Sequence, residues 1–334
     1  MQDTHIQLAH GNGGRYMREL IDTVFARHLA NPLLDTHADA AALPLHAGEM
    51  VCTTDGFTVQ PLEFPGGDIG SLAVHGTIND LAVTGATPRY LSLNAFIEEG
   101  LAVAQLERIV ISLATAARQA GVQVVTGDTK VLRRGEGGGL YLATTGIGTR
   151  DPGLRLGLNR IRPGDVLLVS GPVGDHGIAV MLAREQFGLR GDVRSDSASV
   201  LPLTQALLDL PGLRFMRDPT RGGLATVAHD IAAATRSQVR LAASDIPIRD
   251  PVRSVCDMLG YDPLYLACEG RVVAVVSPDC VSEALARWRA LSQGSHAACI
   301  GAVTAGPASV VLTTELGGER LLDELEDDPL PRIC

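Results

Sequence analysis

No stretch of this sequence is apolar for the roughly 18 to 20 residues that a membrane-spanning helix requires, and no Walker loop (GxxxxGKS or GxxxxGKT) occurs. The six cysteines, Cys52, Cys256, Cys268, Cys280, Cys299 and Cys334, include no CxxC pair. Neither a zinc knuckle nor a disulfide framework is therefore indicated, and the thiols read as reduced. Met1 to His10 lacks the basic and apolar segments of an export signal, so the expectation is a soluble, cytoplasmic protein with no membrane partner. Positive charge is scarce: 28 Lys and Arg against 38 Asp and Glu leave a net charge of -10. That balance argues against a nucleic-acid surface, and a polyphosphate ligand would need local help from metal ions, lysine or backbone N–H groups. No period of about 20 to 50 residues recurs, which excludes a solenoid or propeller.

What is present is the composition of a globular protein, 46% hydrophobic and 20% charged, with 37 glycines for tight turns and backbone-lined sites. A length of 334 residues suits two domains. Strand-like and helix-like stretches interleave throughout, which predicts an α/β (α+β) fold. The glycine loop His10 to Gly14 feeds a helix with Met17, Leu20, Ile21, Val24 and Phe25 at helical spacing. Glu49 to Val59 reads as a strand, Ser71 to Gly85 and Val103 to Ala120 as helices, Val122 to Val125 as a strand opening into Thr126 to Lys130, and Leu140 to Gly148 as a further strand. Turn chemistry at Arg150-Asp151-Pro152-Gly153 marks the boundary. This gives a domain at 1–150, a second at 155–316, and a mobile tail at 317–334.

Four aspartates, Asp55, Asp80, Asp128 and Asp218, each sit beside a glycine, an asparagine or a turn, at the end of a strand or the start of a helix. Brought together they suit Mg²⁺, a hard cation that takes carboxylate and phosphate oxygens; singly, each also reads as a cap or Asx-turn residue. Gly11-Asn12-Gly13-Gly14 and Thr220-Arg221-Gly222-Gly223 have the form of loops that present backbone N–H groups to phosphate, or of plain connecting turns. Lys130 follows Asp128 by two residues, where an ammonium stabilises charge on a transferring phosphoryl group or makes a surface ion pair. Glu269, between Cys268 and Gly270, is a candidate carboxylate base; the competing role is structural, as a partner for Arg271 or a backbone N–H. His10, His75, His176 and His229 lack ligand-like pairing and are assigned to packing.

Cys334 is the hardest residue to explain structurally. It ends a proline-stiffened segment, Pro329 to Cys334, that follows the acidic stretch Glu315 to Asp328, and there it serves neither core nor cross-link. A thiol on such an arm is suited to carrying a group, because thiolate is a better nucleophile than hydroxyl at neutral pH.

Together these residues resemble the HypE family of hydrogenase maturation factors, within the superfamily of PurM-like, AIR synthase-related ATP enzymes. The resemblance runs end to end: Gln7 to Gly14, Thr54-Asp55, Phe64 to Gly67, Asn79-Asp80, Gly85-Ala86, Thr126 to Lys130, Asp175-His176-Gly177, Asp218 with Thr220 to Gly223, and Pro331-Arg332-Ile333-Cys334. The terminal PRIC is the specific element; most of the rest is shared across the superfamily. The resemblance implies a two-domain PurM-like fold whose N-terminal domain contributes to a dimeric β-barrel in a homodimer, followed by an α/β domain and the tail. It further implies ATP with Mg²⁺ as cofactors, a carbamoyltransferase partner, HypF, that loads Cys334, and ATP-dependent dehydration of that carbamoyl group to a thiocyanate. The HypC–HypD complex is implied as acceptor of the cyano group, bound for the iron of NiFe-hydrogenase. Carried onto this sequence, the metal ligands are Asp55, Asp80, Asp128 and Asp218. Nucleotide binding falls to Gly11, Asn12, Gly13, Gly14, Asn79, Gly127, Thr129, Thr220, Arg221, Gly222 and Gly223, and the chemistry to Cys334, Lys130 and Glu269. Two other readings stay open, a PurM-like small-molecule kinase or synthetase of the selenophosphate synthetase type, and a non-catalytic thiol carrier.

Overall fold

The computed structural model describes residues 3–36, 38, 40–44, 47–184 and 191–325, so Cys334 and the rest of 326–334 lie outside the described residues. Among the described residues the chain divides into two compact units, 3–81 with 86–152, and 82–85 with 153–325.

The first unit begins with α1 (Arg15–Leu20), a π-helical turn (Ile21–Ala26) and α2 (Arg27–Leu29). Then come β1 (Glu49–Phe57), a two-residue ribbon of β2 (Glu63–Phe64) and β3 (Gly67–Asp68), and α3 (Ile69–Val83). β4 (Thr87–Glu98), α4 (Val103–Ala120), β5 (Gln123–Leu132) and β6 (Leu140–Arg150) complete it. The large strands form one sheet in the order β1-β6-β4-β5, antiparallel except for the parallel pair β4–β5, whose crossover is α4. α4 buries Leu106, Ile109, Val110, Leu113 and Ala117, spaced at i, i+3, i+4, i+7 and i+11, and Gly121 at φ 69° ends it in the left-handed conformation. The expected opening of the chain after Val125 does not occur. Residues 126–132 continue β5 in register with β4, Leu93 opposite Gly127 and Asn94 opposite Asp128, because Thr126, Thr129 and Val131 suit a strand. Asp55 lies within β1 and Asp80 within α3, the strand and the helix read for those stretches from the sequence.

The second unit runs through β7 (Val166–Val169), α5 (Asp175–Ala183), α6 (Leu201–Gln205), β8 (Leu213–Arg217) and α7 (Gly223–Thr235). It continues with β9 (Gln238–Ala242), α8 (Asp250–Leu259), β10 (Val273–Val276), α9 (Val281–Arg289), β11 (Ala298–Thr304), β12 (Ser309–Thr313) and β13 (Glu319–Leu321). Its sheet has the order β13-β12-β9-β11-β7-β10-β8. Helices cover both faces, so β7 and β10 are buried on both sides and their sequences, VLLV and VAVV, are unbroken apolar runs. Leu167, Val169, Val273 and Val275 join α7's Leu224 and Ile231 in one core. Leu168, Ala274 and Val276 join Leu203 and Trp288 in the other. Of the segment from residue 317 onward, Glu319–Leu321 pairs with β12, and Leu322 is buried. Among the described residues, no helix is long and apolar enough to cross a membrane.

Trp288 is the sole tryptophan and donates Nε1–H to the Leu203 carbonyl at 2.9 Å. Its emission therefore reports on this unit. Leu203→Ala, which empties a fully buried site in the same core, is expected to cost about 2–5 kcal/mol. Urea titration followed by Trp288 fluorescence should show the midpoint moving to correspondingly lower denaturant.

Candidate active-site halves

In the first unit the carboxylates are placed by a strand–helix seam. Side chains two apart on β1 share a face, and Thr53, Asp55 and Phe57 face α3. Thr53 Oγ1 donates to Asp80 Oδ2 at 2.8 Å. A Cβ at Gly76 would stand 2.8 Å from the Phe57 ring and 3.9 Å from Asp55 Oδ2, so α3 approaches β1 closely there. Gly76 and Asp80 are one helical turn apart, which sets Asp80 beside Thr53 and Asp55 beside Gly76 along one seam. Asp55 Oδ1 also accepts the Gly56 N–H at 2.7 Å. Asn79, next to Asp80, is buried.

The Asp128 half of this unit lies on β5. A Cβ at Gly127 would stand 2.1 Å from the Leu93 carbonyl oxygen, so only glycine lets β4 run this close. Asp128 Oδ1 accepts the Thr129 N–H at 2.8 Å, and Oδ2 lies 4.0 Å from Lys130 Nζ, with both side chains more than half exposed. A solvated pair at that distance contributes little stability and leaves both charges open to a ligand. Gly11 packs against Val131, where a Cβ would approach to 2.9 Å, and so sets the N-terminal glycine loop beside Thr129–Val131. Around Gly13 and Gly14 an added Cβ would meet nothing within 4 Å, which leaves room for an approaching ligand, while the Gly13 N–H donates to Met17 Sδ at 3.2 Å. His10 is buried behind the loop, accepting the Gln7 N–H at Nδ1 (2.9 Å) with Nε2 3.4 Å from Asp3, the packing role expected for it.

These two carboxylate groups do not converge within the chain. Asp55 pairs with Thr144, Thr144 with Leu93 and Leu93 with Gly127, so Asp55 and Asp128 lie on opposite edge strands, three strand spacings or about 14 Å apart. Among the described residues, no three His, Cys, Asp or Glu side chains form a metal-holding group.

The second unit brings its own candidates together. Asp218 follows β8 and is buried. The turn after it is closed by Thr220 N–H to the Asp218 carbonyl (3.0 Å) and Gly223 N–H to the Thr220 carbonyl (2.9 Å), and α7 starts at Gly223. At Gly223, φ is +59° and a Cβ would stand 2.5 Å from the Leu264 carbonyl oxygen, so glycine is required twice over. Cys268 N–H donates to the Pro219 carbonyl at 3.0 Å, which joins the Glu269 segment to the Asp218 loop. Glu269 is buried; its N–H donates to Asp196 Oδ1 at 3.1 Å and its carbonyl accepts the Ala198 N–H at 3.3 Å.

Behind Glu269 lies a buried ion network that the sequence analysis missed. Arg271 pairs with Asp196 (3.3 Å) and Asp175 (3.5 Å), and Asp175 with Arg249 (3.4 Å). Arg271 thus has these aspartates as ion-pair partners, where Glu269 had been considered. Asp196 sits in a serine-rich stretch that reads as an ordinary polar loop; only Asp175-His176-Gly177 offered a signal. His176 Nδ1 meets Ser195 Oγ at 2.8 Å, a packing role again. Burial holds the Cys268 thiol well above its ordinary value, with Asp196 adding to it, and burial pushes the Cys256 thiol up to about 12. Neither is a serviceable nucleophile at neutral pH.

Burial, reinforced by Asp196, also raises the Asp175 carboxyl from 3.8 to about 6, against the opposing pull of Arg249 and Arg271. Both contacts are longer than the ~2.7–2.9 Å of a charge-assisted hydrogen bond, so desolvation wins. Between pH 3.8 and about 6 the folded state holds a proton that the unfolded chain releases, so the stability contributed by neutral Asp175 is lost as pH rises through 6. The stability difference between the parent and Asp175→Asn is expected to shift against the parent by roughly 2–3 kcal/mol from pH 4 to 7. Urea titrations of both proteins across that range measure it, and a difference independent of pH would contradict the assignment.

Residues 37–150 match the N-terminal domain of AIR synthase related proteins, and residues 162–313 match the C-terminal domain. A carbamoyl dehydratase HypE from Azotobacter vinelandii is 46% identical over 100% of this chain and 98% of its own length. A crystal structure of hydrogenase maturation protein HypE in complex with ATP superposes with a TM-score of 0.93 at 45% identity, covering 98% of this chain and 99% of that one. The crystal structure of a HypE–HypF complex contains a chain matching at a TM-score of 0.80 and 39% identity, covering 93% of this chain and 100% of that one. With both domains matched and nearly half its residues shared end to end, the chain belongs to the HypE family of carbamoyl dehydratases, within the AIR synthase related proteins.

Proposed function

We propose that this chain carries a carbamoyl group as a thioester-like adduct on Cys334 and dehydrates it to a thiocyanate at the expense of ATP, as a cytoplasmic step in NiFe-hydrogenase maturation. The observation that carries the proposal is end-to-end similarity to carbamoyl dehydratases, with PRIC closing the sequence. The superposed HypE was crystallised with ATP, and a further relative with HypF, which supports ATP as cosubstrate and HypF as the partner that loads Cys334. The HypC–HypD complex then takes the cyano group to iron.

The residues fit Mg-ATP chemically. Asp55 and Asp80 offer hard oxygen donors along one seam, Asp128 and Asp218 offer two more, and the open Gly13–Gly14 backbone and the N-terminus of α7 offer amides to phosphate. With Asn79, Gly127, Thr129, Thr220 and Arg221 they make the proposed binding set. When bound, Mg-ATP supplies the phosphoryl group that turns the carbamoyl oxygen into a leaving group. Lys130 presents a point charge to oxygen as it departs, and Glu269 accepts a proton from the carbamoyl nitrogen. Loss of the oxygen as phosphate and of both nitrogen protons converts S–C(=O)–NH₂ to S–C≡N.

The distance between Asp55 and Asp128 supports a homodimer. Both sit on edge strands whose outer N–H and C=O groups have no strand partner within the described sheet, and Met50, 71% exposed, and Phe96 project from that sheet. A second copy closing the two edges into a barrel would cover this surface and set an Asp55-bearing edge against another chain's Asp128-bearing edge.

Intact and peptide mass after incubation with HypF, carbamoyl phosphate and ATP tests the proposal. A gain of about 43 Da on the C-terminal peptide, followed by a loss of about 18 Da with fresh Mg-ATP, is expected, those being the masses of the added carbamoyl and the lost water. Cys52 is the exposed thiol among the described cysteines, so an adduct there and none on Cys334 would overturn the carrier assignment. Cys334→Ala should bind ATP normally and accept no carbamoyl group. Lys130→Ala should be loaded normally but dehydrate about 10²–10³-fold more slowly, the scale of one lost charge-stabilising group; undiminished thiocyanate formation would remove Lys130 from the mechanism.

A further inference from the structure

The chain leaves the second unit along a route held at several points. Leu322 is buried and its N–H donates to the Val310 carbonyl at 2.9 Å, the last backbone bond to the sheet. Just before it, Arg320 donates to Asp262 Oδ2 at 2.6 Å, while Asp262 Oδ1 caps the following turn through the Leu264 N–H at 3.0 Å. That turn presents Tyr265, whose hydroxyl donates to the Asp323 carbonyl at 2.6 Å. Two residues on, Leu325 lies against the phosphate-type glycine loop: a Cβ at Gly222 would meet its Cδ2 at 3.3 Å. Burial raises the Tyr265 phenol, with Asp262 and Asp323 adding to the effect, so the hydroxyl keeps its proton and remains a donor at neutral pH.

We infer that Tyr265 is a positioning residue which pins Asp323–Leu325 as a strap against the Gly222 loop, and so sets the point from which the sequence runs on toward Cys334. The inference rests on the carrier reading of Cys334. From Leu325 nine steps remain to Cys334, a reach of about 30 Å at roughly 3.3 Å per extended residue. From Leu322 there are twelve. The strap thus shortens the tether and fixes its point of departure beside Thr220–Gly223, which raises the local concentration of the loaded thiol at that loop. A hydroxyl on a backbone carbonyl suits this role, since it holds the chain's path without involving the arm's side chains.

The test is Tyr265→Phe in the full chain, with Leu325→Ala as a second variant that leaves the hydroxyl intact. Two readouts are used. Glutamyl endoproteinase cuts after Glu324 only when the strap lifts, so Tyr265→Phe should raise that cleavage rate about fivefold, the loss expected for one neutral hydrogen bond. On carbamoyl-loaded protein, the single-turnover rate of ATP-dependent water loss should fall by a similar factor in each variant, while the rate of loading by HypF and the ATP concentration for half-saturation stay unchanged. Unchanged cleavage in Tyr265→Phe overturns the strap. Faster cleavage with undiminished water loss overturns its positioning role, as does a fall matched by weaker ATP binding, which would mark general loosening. Failure of the unsubstituted chain to lose water from Cys334 would defeat the carrier reading instead, and the cleavage result would still decide the strap.

Discussion

A guanidinium sealed into a protein interior must be neutralised where it lies, and Arg271 imposes that requirement on the second unit. Its ion pairs draw in Asp175 from the first turn of α5 and Asp196 from the polar coil ahead of α6, while its Nε donates to the Pro172 carbonyl at 2.8 Å. Asp196 has a second oxygen, which accepts the Glu269 N–H. Neutralising the arginine therefore fixes the backbone of the candidate base, and the neighbouring Cys268 N–H carries that constraint to Pro219 and the Asp218 turn. The cost is visible at Asp175, whose contacts are too long to offset its desolvation fully. Removing Arg271 would leave two buried carboxylates facing each other, so the cluster behaves as a unit and not as separable pairs.

In the first unit the organising constraint is the ladder itself. Once β4 and β5 are parallel neighbours in the register set by α4, the chain has no freedom to swing Asp128 toward Asp55. The glycine at 127 tightens this further by letting β4 lie against β5 without a side chain between them. Rigid placement favours function on strands and helices, which hold a group to tighter tolerance than a loop does, but it means that carboxylates separated by three strands can meet on one ion only if something closes the sheet.

Much of this was legible in the sequence for local reasons. Val103–Ala120 carries a clean helical period and ends at a glycine, and it forms with those bounds. VLLV and VAVV are unbroken apolar runs, the pattern of strands buried on both faces. What local pattern could not supply was pairing across distance. Thr126 to Lys130 contains a glycine and an aspartate and reads as a turn, yet a neighbouring strand extends the ladder through it, tertiary pairing overriding a local preference. Asp196 escaped notice for the opposite reason: nothing in a serine-rich coil signals that an arginine 75 positions later will be buried against it. Singling out Lys130 from its neighbourhood alone also overlooked a simpler signal, since it is the only lysine in the sequence and every other residue of the Lys+Arg total is arginine.

That solitary lysine has a physical rationale. Elsewhere among the described residues carboxylates are met mostly by guanidinium groups, as in Arg108 with Glu63, held through Nε and Nη2 at 2.9 Å each. An arginine two residues after Asp128 would have a rigid fork matched to that carboxylate and would hold it in the same planar geometry. An ammonium has no fork to match. At 4.0 Å from Asp128 and two-thirds exposed, Lys130 keeps its charge near the carboxylate without closing on it. In the proposed reaction the flexible stem would let the charge follow an oxygen as its bond lengthens, which a bidentate arginine anchored on Asp128 would not do. A movable point charge is what that proposed role asks of position 130, whereas the contribution of so exposed a pair to stability is small.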